Sequence, residues 1–327
     1  MSKPKVAFYW CASCGGCEEA VVDLNEAVLD VVEAVDIIFW PVALDFKRSD
    51  VEAMADSELA VAFINGAIRS SEQEEMVRLL RRKSQLVIAF GSCAHLGGIP
   101  GLANTFNRAE MMDTVYHKAP SVTNDENTEP QPEYDAPEGR VTLPHLWNTV
   151  KTLDQVIKVD FYLPGCPPPV NLIVEAVEKI LNNQLPEPGS VLAPDIALCE
   201  ECPRRDTKPD KIAIKKFYRP FEIDIDPEKC LLAQGLLCMG ICTRKGCGAA
   251  CIKANMPCTG CMGPTSHVPD FGTKVLSSFA SMVDANDENE IAEILNKIVD
   301  PTGTFFRYSL PASLLHRSYN HAAKGGK

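Results

Sequence analysis

The sequence predicts an α/β chain in two parts: a parallel sheet wound by helices on both faces over residues 1–185, then an irregular cysteine-rich domain over 186–327. Two observations predict it. Short apolar runs alternate with amphipathic stretches until about residue 185. From Gln184 the alternation stops, Pro recurs at 186, 188, 194, 203 and 209, and nine of the 14 cysteines follow. Lys5–Trp10, 36–42, Leu59–Asn65, 86–91 and 160–163 read as buried strands, being short, β-branched or aromatic, and bounded by Gly, Pro or Cys. Between them, 18–35 puts Val21, Leu24, Val28, Leu29 and Val32 on one helical stripe. Ser71–Lys83 opens on a capping-box pattern, Ser71 with Glu74, and closes in Arg81-Arg82-Lys83, cations suited to a helix C-terminus. A third helix, 170–182, follows Pro167-Pro168-Pro169. Residues 119–140 carry no apolar periodicity and many Pro, Asp, Glu and Asn, which predicts a long loop, disordered or laid against a partner. Strand and helix in alternation give a flavodoxin-like doubly wound unit.

The chain has 327 residues, 46% of them hydrophobic and 23% charged, with a net charge of −12. At this length a sizeable core needs no disulfides. The acidic balance argues against nucleic-acid or anionic-membrane surfaces, and no apolar run approaches a membrane span. Met1-Ser2-Lys3-Pro4 leads straight into a strand, without the pattern of a signal peptide. A cytoplasmic protein is expected, and thiols in number there serve metals or redox chemistry.

Cys14 and Cys17 follow the first strand, Cys93 follows 86–91, and Cys166 follows 160–163. All three loops leave carboxyl ends of parallel strands, the edge where open α/β sheets bind ligands. Neighbouring glycines (15, 16, 91, 97, 98 and 165) let backbone approach a bulky inorganic core. The second part offers Cys199 and Cys202, Cys230 and Cys238, then Cys247, Cys251, Cys258 and Cys261, enough thiolates for two four-Cys sites. Soft thiolates select iron–sulfur clusters or zinc, and spacing does not separate them. Cys11 and Cys242 read as buried space-filling thiols. His95 reads as a donor to the site or as an ordinary loop histidine. The glycine-rich 91–101 lacks the Lys-Ser/Thr of a P-loop.

Cys14-Gly15-Gly16-Cys17, Gly91-Ser92-Cys93-Ala94, Pro164-Gly165-Cys166-Pro167-Pro168, Cys238-Met239-Gly240 and Pro257-Cys258-Thr259-Gly260-Cys261 together resemble the small subunit of NiFe hydrogenases. Leu237-Cys238-Met239-Gly240 and Leu310-Pro311-Ala312-Ser313-Leu314 suggest the cytoplasmic methyl-viologen-reducing type associated with heterodisulfide reductase. The resemblance implies three 4Fe-4S clusters: a proximal one on Cys14, Cys17, Cys93 and Cys166, a medial one on Cys247, Cys251, Cys258 and Cys261, and a distal one on Cys199, Cys202, Cys230 and Cys238. It implies a NiFe centre in a partner large subunit, an electron-accepting iron–sulfur subunit linked to heterodisulfide reductase, no nucleic acid and no membrane insertion. Candidate docking segments are 119–140 and the aromatic tail 305–310. Two other readings stand beside it: a cluster-carrying subunit of a quinone-reductase-type complex, similar over residues 1–185, and a zinc-binding scaffold.

Overall fold

In the computed structural model, which describes residues 3–315, five parallel strands form one sheet: β1 (Lys5–Trp10), β2 (Asp36–Phe39), β3 (Leu59–Asn65), β5 (Ser84–Phe90) and β9 (Phe161–Leu163). Their order, β2-β1-β3-β5-β9, places the first strand inside the sheet and makes the chain a flavodoxin-like doubly wound α/β unit. The register pairs Phe8 with Phe63, Phe63 with Ile88, and Phe90 with Leu163. Because side chains alternate along a strand, each face builds its own core.

On one face Val6, Phe8, Val61, Phe63, Ile88, Phe90 and Leu163 meet the helices Gly16–Val22 and Val170–Leu181. Phe8 stacks on Phe63 at 5.1 Å, and Phe63 meets Phe90 edge-on at 5.8 Å. Burial of each such ring contributes roughly 2–3 kcal/mol. On the other face Ala7, Ala62, Ile64, Val87 and Ala89 lie under Met76, Val77 and Leu80 of the helix Ser71–Lys83.

Several boundaries differ from those expected. The helix expected over 18–35 is two, Gly16–Val22 and Ala27–Ala34, separated by a turn in which Asn25 takes φ +52, a conformation Asn tolerates. The break turns the stripe: Val21 and Leu24 are buried, whereas Leu29 and Val32 are 63% and 43% exposed. The cap of Ser71–Lys83 is Ser70, whose Oγ accepts from Gln73 N at 3.3 Å; Ser71 Oγ accepts instead from His145 N at 3.0 Å. β2 ends at Phe39 because the chain turns at once, Ala43 N donating to Trp40 O at 3.0 Å. The stretch 119–140 is not without regular structure: β6 (Glu133–Ala136) pairs antiparallel with β7 (Gly139–Thr142). That hairpin leaves Tyr134, Val141 and Leu143 more than half exposed. β4 (Ile68–Ser70) and β8 (Leu146–Lys151) form a further antiparallel pair beside the sheet.

After the sheet, short turns and the helices Phe271–Ala280, Glu288–Leu295 and Pro301–Phe305 enclose a third apolar core, built around Leu198, Phe217, Leu236, Met239, Phe279 and Phe305. Within the tail, Phe305, Phe306, Tyr308 and Leu310 are buried inside the chain itself. The tail also crosses to the sheet, with Gly98 N donating to Tyr308 O at 3.0 Å and Gln155 Nε2 to Pro311 O at 2.8 Å. Leu314 and Leu315, at its end, are exposed. Among the described residues no helix is long and apolar enough to cross a membrane.

Candidate metal centres

Cys14, Cys17, Cys93 and Cys166 come together at the carboxyl edge of the sheet, where the thiols of Cys93, Cys166 and Cys14 all bear on that of Cys17. The loop after β1 is held from both sides by a residue that sequence reasoning missed. Asn65, at the end of β3 and 1% exposed, has its Oδ1 2.8 Å from Ser13 Oγ, while its Nδ2 donates to Glu18 Oε1 at 2.5 Å. Trp40 Nε1 donates to the other Glu18 oxygen. Asn65 thus brackets the Cys14-x2-Cys17 loop, and no motif in the sequence marks it. Cys93 enters at the start of the short helix Ser92–Leu96, and Ser92 N donates to Gly165 O at 2.8 Å, tying the Cys93 and Cys166 loops. The turn at Gly91 has φ +87, and a Cβ there would overlap Cys17 Sγ; one on Gly98 would overlap Cys93 Sγ. Glycine is needed at both positions.

Cys199, Cys202, Cys230 and Cys238 line a single cavity, walled by Leu231, Leu232 and Ile252. The remaining four are also mutual neighbours: Cys247 and Cys251 bear on Cys261, and Cys261 on Cys258. Their sulfurs accept backbone N–H bonds, Cys247 from Ala249 and Ala250, Cys258 from Gly260. Two further N–H bonds join the sets. Cys166 N–H donates to the Cys261 sulfur, and Cys258 N–H to the Cys238 sulfur. Ser92 Oγ donates to Cys261 O at the first of these junctions. The three sets therefore stand in a row, with Cys247, Cys251, Cys258 and Cys261 in the middle.

All 14 cysteines are free thiols. Among the described residues no three His, Cys, Asp or Glu side chains close on one metal-ion position. Four thiols around a cavity, glycine where a Cβ would strike sulfur, and N–H groups aimed at sulfur fit a polynuclear iron–sulfur core better than four ligands on one zinc sphere of about 2.3 Å. Cys11 is buried and Cys242 Sγ sits 3.4 Å from Ser278 Oγ; neither belongs to a set. His95 packs against Tyr162 with the rings tilted and their centroids 4.6 Å apart, and burial, aided by Arg244, pushes it down to about 3. It is a neutral packed ring.

Burial pushes Cys199 up to about 11 and Cys93 and Cys261 up to about 12, from an ordinary value of 9.0. The folded chain without metal therefore holds its thiol protons to higher pH than the unfolded chain does. Its stability is complete below about pH 9 and falls as pH rises toward 12. The urea midpoint of metal-free chain is expected to drop between pH 9 and 11. Loaded chain, its thiolates already deprotonated by iron, should show no such drop, and its assembly near pH 8 should release protons.

Residues 14–180 match the family described as NADH ubiquinone oxidoreductase, 20 Kd subunit, a span that begins at Cys14 and includes all four thiols of the first set. The chain is 39% identical to the iron-sulfur subunit of the F420-non-reducing hydrogenase of Archaeoglobus profundus, over 96% of its own length and 98% of that protein's. It is 36% identical to the corresponding F420-non-reducing hydrogenase subunit of Methanothermobacter thermautotrophicus, over 96% of each. Its fold is similar to a chain of the [NiFeSe] hydrogenase from Desulfovibrio vulgaris Hildenborough, with TM-score 0.51, 17% identity, and coverage of 81% of this chain and 94% of that one. Likeness across both the sheet and the cysteine-rich part, at these identities, means that the chain belongs to the iron–sulfur subunit family of F420-non-reducing hydrogenases.

Proposed function

We propose that the chain conducts electrons released by H2 oxidation at a NiFe centre in a partner large subunit through three 4Fe-4S clusters to an iron–sulfur acceptor subunit of a heterodisulfide reductase complex, in the cytoplasm. Cys14, Cys17, Cys93 and Cys166 hold the first cluster, within residues 1–185. Cys247, Cys251, Cys258 and Cys261 hold the second and Cys199, Cys202, Cys230 and Cys238 the third, within 186–327. Bound there, the clusters supply one-electron carriers whose potentials follow hydrogen bonding to sulfur, burial and local charge.

The observation that supports this most is the row itself, with its two N–H···S junctions, Cys166 to Cys261 and Cys258 to Cys238. The chain's own residues hold the thiols, donate N–H groups to them and exclude water with Leu231, Leu232 and Met239. Partner contact falls to the exposed Tyr134, Val141 and Leu143 of the hairpin and to Leu314 and Leu315. A quinone-reductase-type role accounts for residues 14–180 and leaves the second cysteine region without purpose.

Anaerobically reconstituted full-length chain is expected to be brown, with about twelve irons and as many acid-labile sulfides. A colourless chain holding zinc would overturn the proposal.

A further inference from the structure

Ionisable side chains lie against each set of thiols. In the first, the charged side chain bearing on Cys17 is Glu18, both of whose oxygens accept N–H bonds. In the middle set Glu201 Oε1 lies 4.0 Å from Cys247 Sγ and accepts from Gly246 N at 3.0 Å. At the end of the row the sign reverses, for Arg204 and Lys208 line the cavity of Cys199, Cys202, Cys230 and Cys238.

Arg204 is 5% exposed, and its guanidinium donates to the carbonyls of Asp226, Lys229 and Ile252 and, at 2.6 Å, to Asn255 Oδ1. None of these acceptors is a carboxylate, so its charge is not neutralised. Lys208 makes no side-chain hydrogen bond or ion pair among the described residues, and it is the charged side chain that bears on Cys199. The nearby acids are engaged elsewhere, Glu200 with Arg205 at 2.7 Å and Asp226 with Lys229 at 3.0 Å.

A neighbouring positive charge stabilises the more negative, reduced form of a redox group, and a carboxylate opposes it. We infer that Lys208 and Arg204 raise the reduction potential of the site held by Cys199, Cys202, Cys230 and Cys238, so that fixed positive charge draws electrons along the row toward that end. This rests on the cluster assignment proposed above. Each electron gained at one site is lost by its neighbour, and no proton or bond moves.

The test is an EPR-monitored redox titration of the loaded full chain as wild type, Lys208→Met, Lys208→Glu and Lys208→Arg, with iron counted on the same samples. Lys208 is exposed and its side chain makes no hydrogen bond or ion pair among the described residues, so all four should fold. At a fixed potential near the wild-type midpoint, the oxidised-to-reduced ratio of one signal is expected to rise roughly threefold in Lys208→Met and roughly tenfold in Lys208→Glu, the latter about 59 mV for one electron. The other two signals should hold, and Lys208→Arg should match wild type. Full iron content with no change in Lys208→Glu, or an equal change in all three signals, overturns the inference. Wild-type chain without iron overturns the cluster assignment and, with it, this inference.

Discussion

Replacing Cys93 with Ser is expected to lower the iron content from about twelve to about eight per chain. Cys93 is 6% exposed at the head of Ser92–Leu96, grouped with Cys17, Cys166 and Cys14. A serine oxygen in its place is a hard ligand where the core requires a soft one. In the complex with a large subunit, hydrogen–deuterium exchange should continue, because it needs no electron to leave that subunit. Dye reduction through the row should fall by more than roughly 100-fold, the scale seen when even the supporting partners of a metal site are removed. Loss of both activities together would signal misassembly, and dye reduction at the wild-type rate would remove Cys93 from the path.

Gly91→Ala should have a comparable effect for a different reason. At φ +87 and ψ 168, a region essentially confined to glycine, an Ala costs roughly 1–3 kcal/mol in backbone strain alone, and its Cβ would in addition overlap Cys17 Sγ. Displacing that sulfur should cost about four irons while the sheet, whose cores lie below the loop, persists by circular dichroism. Gly189→Ala separates the two contributions, since Gly189 has φ +91 and nothing within 4 Å of the added Cβ. It should lose stability and keep its iron. Equal iron loss in both variants would mean that strain alone, and not the approach to Cys17, disables the site.

The sheet was legible because its strands are local apolar runs: β1 and β3 fall at the expected residues, and Cys14, Cys93 and Cys166 follow from where parallel strands end. What was not legible depended on contacts between distant segments or on single backbone torsions. Asn25 breaks a helix whose apolar periodicity continues through it, so Leu29 and Val32 face outward. Ser70 and Ser71 are equal as candidate caps until His145 N claims Ser71 Oγ. The hairpin Glu133–Ala136 and Gly139–Thr142 is polar along most of its length, so composition alone read it as loop. Asn65 lies 47 positions from Glu18 and carries no motif, and Lys208 resembles any other surface lysine. The junctions Cys166 to Cys261 and Cys258 to Cys238 follow only from the packing of the two parts against each other.

The proposed row of three one-electron sites, fed from one end, must fill in order and must stop filling when its first member is lost. This can be followed by mixing the intact complex of this chain and its large subunit with H2 and recording the broad visible absorption of the iron–sulfur sites in time. Bleaching equivalent to about three electrons per chain is expected in wild type, and no bleaching of the sites beyond the first in Cys93→Ser. Bleaching of those sites in Cys93→Ser at the wild-type rate would contradict the row.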